Sequence, residues 1–323
     1  MMNKTLPWHD IKTPKDEFSV RQIRQSKNLP LYWGKDAEGH CLFIFEIEAN
    51  GKDLFNNNEI SIYGININLN ELKTTGNQAL VLTLGKHIDQ DLFYHLCQTL
   101  IQALNEVLDP LVGLSVALSQ IKRWKIFMAS ANAKILSPEE IRGLFAELIF
   151  LKQMIKKTKS EYIACESWQG PETLHQDFIF FDTAVEIKSL SGREKNTIRI
   201  SSENQLESVN NNLFLKVFRL INMPESEQSC SLNSLVKHIQ DSFTDSEALE
   251  LFYNKLAKLG YITLPAYDTA KFIVADEQTY RLEDHFPKLV RTQLLPGIVN
   301  VNYEIKLEAI TSYICPENEI WSK

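Results

Sequence analysis

A mixed α+β and α/β fold is what the sequence predicts, and three stretches carry that prediction. Residues 30–84 hold short runs of β-formers broken by turn residues, a strongly capped apolar helix begins at Ser137, and residues 176–188, QDFIFFDTAVEIK, read as a hairpin with a carboxylate on each strand. Strands and helices therefore interleave, as they do where helices pack on a mixed sheet.

In chain order, LYWG, CLFIFEIEANGKD, EISIYGININL and ALVLTL read as strands. A helix is expected at about 89–107, where Leu92, Leu96, Leu100, Ala103, Leu104 and Val107 recur at helical spacing. Residues 1–130 are expected to form an α+β domain of their own, serving DNA or partner recognition. The run RWKIFMA is read as a strand leading out of it.

The next region, 131–225, opens with SPEEIRGLFAELIFLKQMIKK. Ser137 suits the N-cap, Pro138 the first helical position, and Glu140 completes a capping box. Beyond the cap the helix is apolar on most sides, so it is expected to be buried. Glu147 lies angularly between Leu151 and Met154 in that apolar surround. A buried carboxylate needs a cation, a metal or a proton, whereas a rim glutamate needs only a nearby lysine.

In the hairpin, Asp182-Thr183 is taken as the two-residue loop, which sets Phe181 opposite Ala184 and Asp177 opposite Lys188. Side chains alternate along a strand, so Asp177, Glu186 and Lys188 share one face and Phe178, Phe180, Val185 and Ile187 the other. The second is a core face. NTIRIS and LFLKVFRL follow as strands, with a helix between them at SSENQLESV, where Ser202 and Gln205 have capping-box spacing. Residues 226–323 are expected to add helices at SLNSLVKHIQDSF and DSEALELFYNKLAKLG, then strands at KFIVADEQTYRLE and IVNVNYEIKLEAI, packing on the core.

Bulk properties exclude several classes. With 44% hydrophobic and 23% charged residues, the 323-residue chain is long enough for two cores and has an ordinary globular composition. No apolar run approaches a membrane span, and MMNKTLPWHDIKTPKDEF has no signal-peptide core, so a cytoplasmic location is expected. Cys41, Cys97, Cys165, Cys230 and Cys315 are far apart and without zinc spacing, which favours free thiols. The net charge of −7 does not advertise nucleic-acid binding, yet leaves room for local basic patches. Two clusters are visible: Lys122, Arg123 and Lys125 around Trp124, and Lys152, Lys156, Lys157 and Lys159. Each reads as a solvated face or as a phosphate contact. There is no Gly-rich phosphate loop, HExxH helix or serine elbow.

An acidic helix residue followed by a hairpin with Asp on one strand and Glu-x-Lys on the next resembles the PD-(D/E)XK nuclease superfamily. More narrowly, RGLFAELIFL, SWQGP, DFIF, VEIKSL and ISSENQL are similar to an uncharacterised bacterial family of PD-(D/E)XK-motif proteins, encoded beside DNA methyltransferases and helicase-like ATPases in defence clusters. The resemblance implies a restriction-endonuclease-like core, a mixed central sheet flanked by helices. One departure is that Gln176 stands where the superfamily's name has proline.

Phosphodiester hydrolysis needs an activated water and a counter-charge for the charge that develops, which Mg²⁺, or Mn²⁺ in its place, supplies when carboxylates hold it. By resemblance, Asp177, Glu186 and the Ile187 backbone carbonyl would be ligands, with Glu147 a further carboxylate. Lys188 would orient the water or stabilise the phosphorus centre, and Gln205 would point into the site unless it is only a cap. His175 and Ser189 would be substrate contacts, while Trp168, Gly170 and Pro171 would shape a turn. Without the resemblance, Asp177, Glu186 and Lys188 read equally as a surface ion pair. Two functions follow: a Mg²⁺-dependent DNA endonuclease of restriction or phage defence, or an inactive scaffold or DNA-binding subunit that keeps the fold.

Overall fold

The computed structural model describes residues 6–322 except 25, 27, 59, 74, 87, 130–134, 173–174, 193–195 and 299–300. The chain divides into two compact units, Met1–Ala133 and Lys134–Lys323.

In the first unit the expected runs become β1 (Phe18–Gln22), β2 (Leu31–Asp36), β3 (Cys41–Ile47), β4 (Ile65–Glu71) and β5 (Gln78–Leu84), with a short helix α1 (Lys52–Asn56) between β3 and β4. They pair antiparallel in the order β1-β2-β3-β5-β4. β3 is central and apolar on both faces: Phe43, Phe45 and Ile47 alternate with Leu42 and Ile44, all buried. Helix α2 (Gln90–Leu104) is capped by Asp89, whose carboxylate accepts from Asp91 N. The run RWKIFMA is not a strand but the last third of α3 (Pro110–Ala129). Leu114, Leu118, Ile121, Trp124 and Phe127 are buried at helical spacing, so the 3.6-residue period overrides a short stretch of β-formers. Its start was also signalled, because Asp109 before Pro110 accepts from the N–H groups of Leu111 and Val112 at 2.8 and 2.9 Å. Trp124 is thereby turned inward, away from Lys122 and Lys125.

The second unit opens with α4 (Pro138–Thr158). Its capping box forms as the sequence implied: Ser137 Oγ accepts from Glu140 N at 3.2 Å, and Glu140 Oε2 from Ser137 N at 2.7 Å. After α5 (Glu161–Ser167) come β6 (Phe178–Phe180), β7 (Thr183–Ser191), β8 (Thr197–Ile200), β9 (Asn212–Asn222) and β10 (Cys230–Ser231). The helices α6 (Leu232–Gln240) and α7 (Ser246–Lys258) precede β11 (Lys271–Arg281) and β12 (Tyr303–Lys306). The main sheet runs β10-β11-β9-β7-β6, with β7 and β9 parallel and the other pairs antiparallel. It is a mixed α+β unit. Residues 226–323 do not merely pack on the core, since β11 pairs along the length of β9 inside that sheet.

The hairpin register differs from expectation by two residues. Phe178 pairs with Val185 and Phe180 with Thr183, so the loop is Phe181-Asp182, and Asp177 stands level with Glu186 rather than Lys188. Asp182 decides this: it accepts from Asn211 N and Asn211 Nδ2 at 3.0 and 2.6 Å, and Phe181 takes a positive φ of 48°. A shift of two preserves the faces, so the carboxylates and the lysine still lie on one side. The helix expected in SSENQLESV shrinks to a single 3-10 turn, Glu203–Leu206. Of the alternating run IVNVNYEIKL, residues 303–306 form β12 against β8, the chain turns 3-10 from Leu307, and residues 299–300 lie outside the described residues.

Helix α4 packs on one sheet face, with Phe150 on Phe178 (ring centroids 4.8 Å apart) and Phe145 on Phe272 (5.1 Å). On the other face Leu190, Leu215, Val217 and Tyr280 pack against Ile198, Ile200, Ile305 and Ile310 from the β8–β12 ribbon and the turn after it. Because β6 spans only three residues, no strand among the described residues pairs with that edge of β7 beyond Val185. The site lies at that edge.

Candidate functional site

A cleft of about 370 Å³ opens there, lined by residues of α4 (Glu139, Glu140, Gly143, Glu147), by Asp177, by Glu186 through Ser189 of β7, and by Ile198, Arg199, Ser201 and Gln205. The residues from α4 recur every three or four positions, so one helical stripe faces the cleft. Asp177 sits just before β6 and fills the place of a missing strand partner: its Oδ2 accepts from Ile187 N at 2.7 Å. In an extended strand the N–H and C=O of one residue leave on the same edge, so the Ile187 carbonyl also faces this side.

Glu186 and Lys188, two apart on β7, point into the cleft together. Lys188 Nζ lies 2.8 Å from Glu186 Oε1 and donates to Gln205 Oε1 at 3.1 Å. Glu186 is 1% exposed, and its Oε2 is buried without a hydrogen-bond partner among the described residues. Gln205 Oε1 also accepts from Ser201 N at 2.7 Å, while the Ser202 hydroxyl caps Asn204 N instead. The reciprocal capping box therefore does not form, and the Gln205 carboxamide belongs to the cleft.

The SWQGP stretch holds the opposite wall. Trp168 Nε1 donates to Glu147 Oε2 at 2.7 Å, and the N–H groups of Gln169 and Gly170 both donate to the Asp177 carbonyl, at 2.7 and 3.1 Å. A Cβ on Gly170 would stand 2.9 Å from Glu147 Oε2 and 3.4 Å from Asp177 Oδ1. Only glycine leaves those two carboxylates their present room. From α7, the buried Lys255 ammonium donates to the carbonyls of Glu166 and Trp168, fixing the turn from behind.

The electrostatics are those of a carboxylate cluster short of positive charge. Burial, then the charge of Asp177, pushes the Glu186 carboxyl up to about 8 against the opposing pull of Lys188. Glu147 is raised well above the usual carboxylate range, by burial first and Asp177 second, and Asp177 is raised by burial although Lys188 and the Ile187 N–H oppose it. Burial works against the Lys188 ammonium, but Glu186 and Asp177 outweigh it and hold its pKa above the ordinary value. The cleft therefore suits a cation.

The structure thus brings together Glu147, Asp177, Glu186, Ile187, Lys188, Ser189 and Gln205. It does not bring in His175, which is exposed and does not line the cleft. Sequence reasoning missed three contributors. Arg199 was legible as the outward residue between the inward Ile198 and Ile200. Trp168 and Gln176 carry no sequence signal for their roles, because each depends on the acceptors that folding brings to a buried N–H: Glu147 Oε2 for Trp168 and the 204–207 carbonyls for Gln176. Elsewhere, Asp36, Glu38 and His40 bring ligand atoms within 4.8 Å of one another near the β2–β3 turn, but Asp36 already binds His40 through Nδ1 at 2.8 Å and N at 2.7 Å.

Residues 5–308 match the model of a family described as "Putative PD-(D/E)XK family member, (DUF4420)". The chain belongs to this PD-(D/E)XK family. The match spans residues of both compact units, so the family is defined by the first unit as well as by the cleft-bearing one. No curated protein and no solved structure matches the chain. Among the described residues, no helix is long and apolar enough to cross a membrane.

Proposed function

We propose that the chain is a divalent-metal-dependent deoxyribonuclease with a restriction-endonuclease-like core, acting in restriction or phage defence beside methyltransferase and helicase-like ATPase partners. One observation carries the reading: Glu186 Oε2, buried and without a partner among the described residues, lies in a cluster of raised-pKa carboxyls that also holds Asp177 and Glu147. A cation bound at Glu186 Oε2 would relieve it, since an unsatisfied buried acceptor costs about 1–3 kcal/mol. The donor set is all hard oxygen, which fits Mg²⁺ or Mn²⁺. Asp177, Glu186 and the Ile187 carbonyl would hold the ion, with Glu147 beside them. When bound, the ion supplies counter-charge to the phosphate and acidifies a water.

The chain's own residues do the remainder. The Ile187 N–H fixes one oxygen of Asp177, and the Trp168 indole fixes one oxygen of Glu147, so both carboxylates enter the reaction with settled orientations. Lys188, charged and held between Glu186 and Gln205, presents N–H donors where negative charge develops on the phosphate. Arg199, exposed on the cleft wall, is positioned to meet the nucleic-acid backbone.

The test is cleavage of duplex and single-stranded DNA by the purified protein with Mg²⁺, with Mn²⁺ and with EDTA, wild type beside Asp177→Ala. Metal-dependent cleavage lost in the variant is the expected result. DNA left intact by the wild type under both metals would overturn the enzymatic reading in favour of an inactive scaffold.

A further inference from the structure

Gln176 is 4% exposed, yet its side chain is polar and sits immediately before Asp177. Asp177 lines the cleft, whereas Gln176 is not among the lining residues. Its Nε2 donates to the backbone carbonyls of Asn204, Gln205 and Glu207, at 2.9, 3.3 and 2.8 Å. All three acceptors belong to the 3-10 turn Glu203–Leu206 or the residue that follows it. Gln205, on that turn, reaches back into the cleft, where its Oε1 binds Lys188 Nζ and Ser201 N.

The turn is tied at its ends: Glu203 Oε2 accepts from Val301 N at 3.1 Å and its Oε1 lies 3.5 Å from Arg291 Nη1, while Glu207 Oε2 accepts from Arg291 N at 3.1 Å. It is one turn of 3-10 helix, too short to be stable by itself. Its hydroxyl cap satisfies Asn204 N, and Leu206 anchors it apolarly in the core. These contacts hold Glu203, Asn204, Leu206 and Glu207 through other atoms. The Gln176 carboxamide grips the carbonyls on both sides of Gln205, and so bears on the height of Gln205 over Lys188. Proline at 176 would bring no donor, so the substitution for proline is what makes this link possible.

We propose that Gln176 is a positioning residue for Lys188, acting through the 203–207 turn and the Gln205 carboxamide. The proposal rests on the nuclease reading of the cleft. One dipeptide, Gln176-Asp177, thus locates two parts of the site at once: Asp177 directly, and the lysine at the far end of a relay of two glutamines.

A double-mutant cycle tests it, with kcat and KM for Mn²⁺-dependent DNA cleavage measured for wild type, Gln176→Met, Gln205→Met and the double variant. If Gln176 acts through Gln205, Gln176→Met lowers kcat by about ten-fold or more with KM little changed. The double variant is then no slower than Gln205→Met alone, since residues in one network are not additive. The metal-induced rise in melting temperature persists in Gln176→Met, because Asp177 and Glu186 remain. Multiplicative losses in the double variant, or wild-type kcat in Gln176→Met, would overturn the proposal. Should Gln176→Met not fold, Gln176→Asn takes its place, keeping an amide too short to span the same carbonyls. A wild type that cleaves nothing would instead sink the nuclease reading itself, a result distinct from an active wild type with an additive cycle.

Discussion

Glu186 gives one carboxylate oxygen to Lys188 at 2.8 Å, and its other oxygen has no hydrogen-bond partner among the described residues. The half-satisfied carboxylate explains why burial, with the Asp177 charge behind it, carries the group up to about 8 although an ammonium stands beside it. A group in that state couples folding, protons and metal.

The first prediction is the resulting pH dependence. A carboxyl that titrates near 8 in the folded chain and near 4.3 when unfolded binds more protons in the folded state between those values. Stability contributed by this group therefore falls as pH rises from about 4.5 to 8, and Asp177 and Glu147, also raised, act in the same direction. Chemical denaturation at pH 5.5 and 8 checks it: Glu186→Gln should flatten the slope and gain stability, relative to wild type, more at pH 8. Mg²⁺ should raise the melting temperature more at pH 8 than at pH 6, because the ion and the proton compete for the same oxygens. A metal response independent of pH would contradict the assignment.

Gly170 supplies the second prediction. An added Cβ would press on Glu147 Oε2 at 2.9 Å, and that oxygen, fixed by Trp168, is the end of a flexible side chain that can swing away. Gly170→Ala should therefore cost little stability, a few degrees in melting temperature at most, yet displace Glu147 from the cleft. The expected signature is a reduced Mn²⁺-induced melting shift in a folded protein. An unchanged shift would show that Glu147 plays no part in binding metal.

Much of this site was legible from residues whose period or cap left one solution. The Ser137 capping box and the apolar flanks of Glu147 put a carboxylate inside a buried helix, and the two-residue alternation of VEIK put Glu186 and Lys188 on one face. The hairpin loop was misplaced because Asp182 is a turn residue in either register, and what selects Phe181-Asp182 is a bond to Asn211, 29 residues away. Helix α3 was missed where β-formers happened to cluster in RWKIFMA, although the longer helical period ran through them. The roles of Gln176 and Trp168 were out of reach, since each depends on which carbonyl or carboxylate tertiary folding brings within 3 Å.

Arg199 carries the third prediction. It lines a cleft rich in carboxylates, it is exposed, and no ion pair engages it among the described residues, whereas Lys188 is held by Glu186. A free guanidinium there should contact a phosphate of the bound strand. Arg199→Ala should raise KM several-fold with a smaller change in kcat, and lower the slope of log affinity against log salt by about 1. The same salt slope in variant and wild type would remove Arg199 from the interface.

The last prediction separates chemistry from folding at Lys188. The Lys188 side chain is 15% exposed and, among the described residues, its ammonium contacts Glu186 and Gln205, so removing its charge alters the carboxylates more than the packing. Without it, Asp177 and Glu186 lose a pull that lowers both, which raises their proton affinity further. Lys188→Met keeps the aliphatic stem and should fold, with a melting temperature close to that of the wild type near pH 6, where the Glu186 carboxyl is protonated in both. Metal should still raise that temperature, because no ligand oxygen has been deleted. Cleavage should fall by at least roughly 10²-fold, the typical loss when one well-placed electrostatic group is removed. Asp177→Ala should differ by losing the metal-induced shift along with cleavage. If wild type and Lys188→Met cleave DNA at equal rates, the lysine is a structural counter-ion to Glu186 and nothing more.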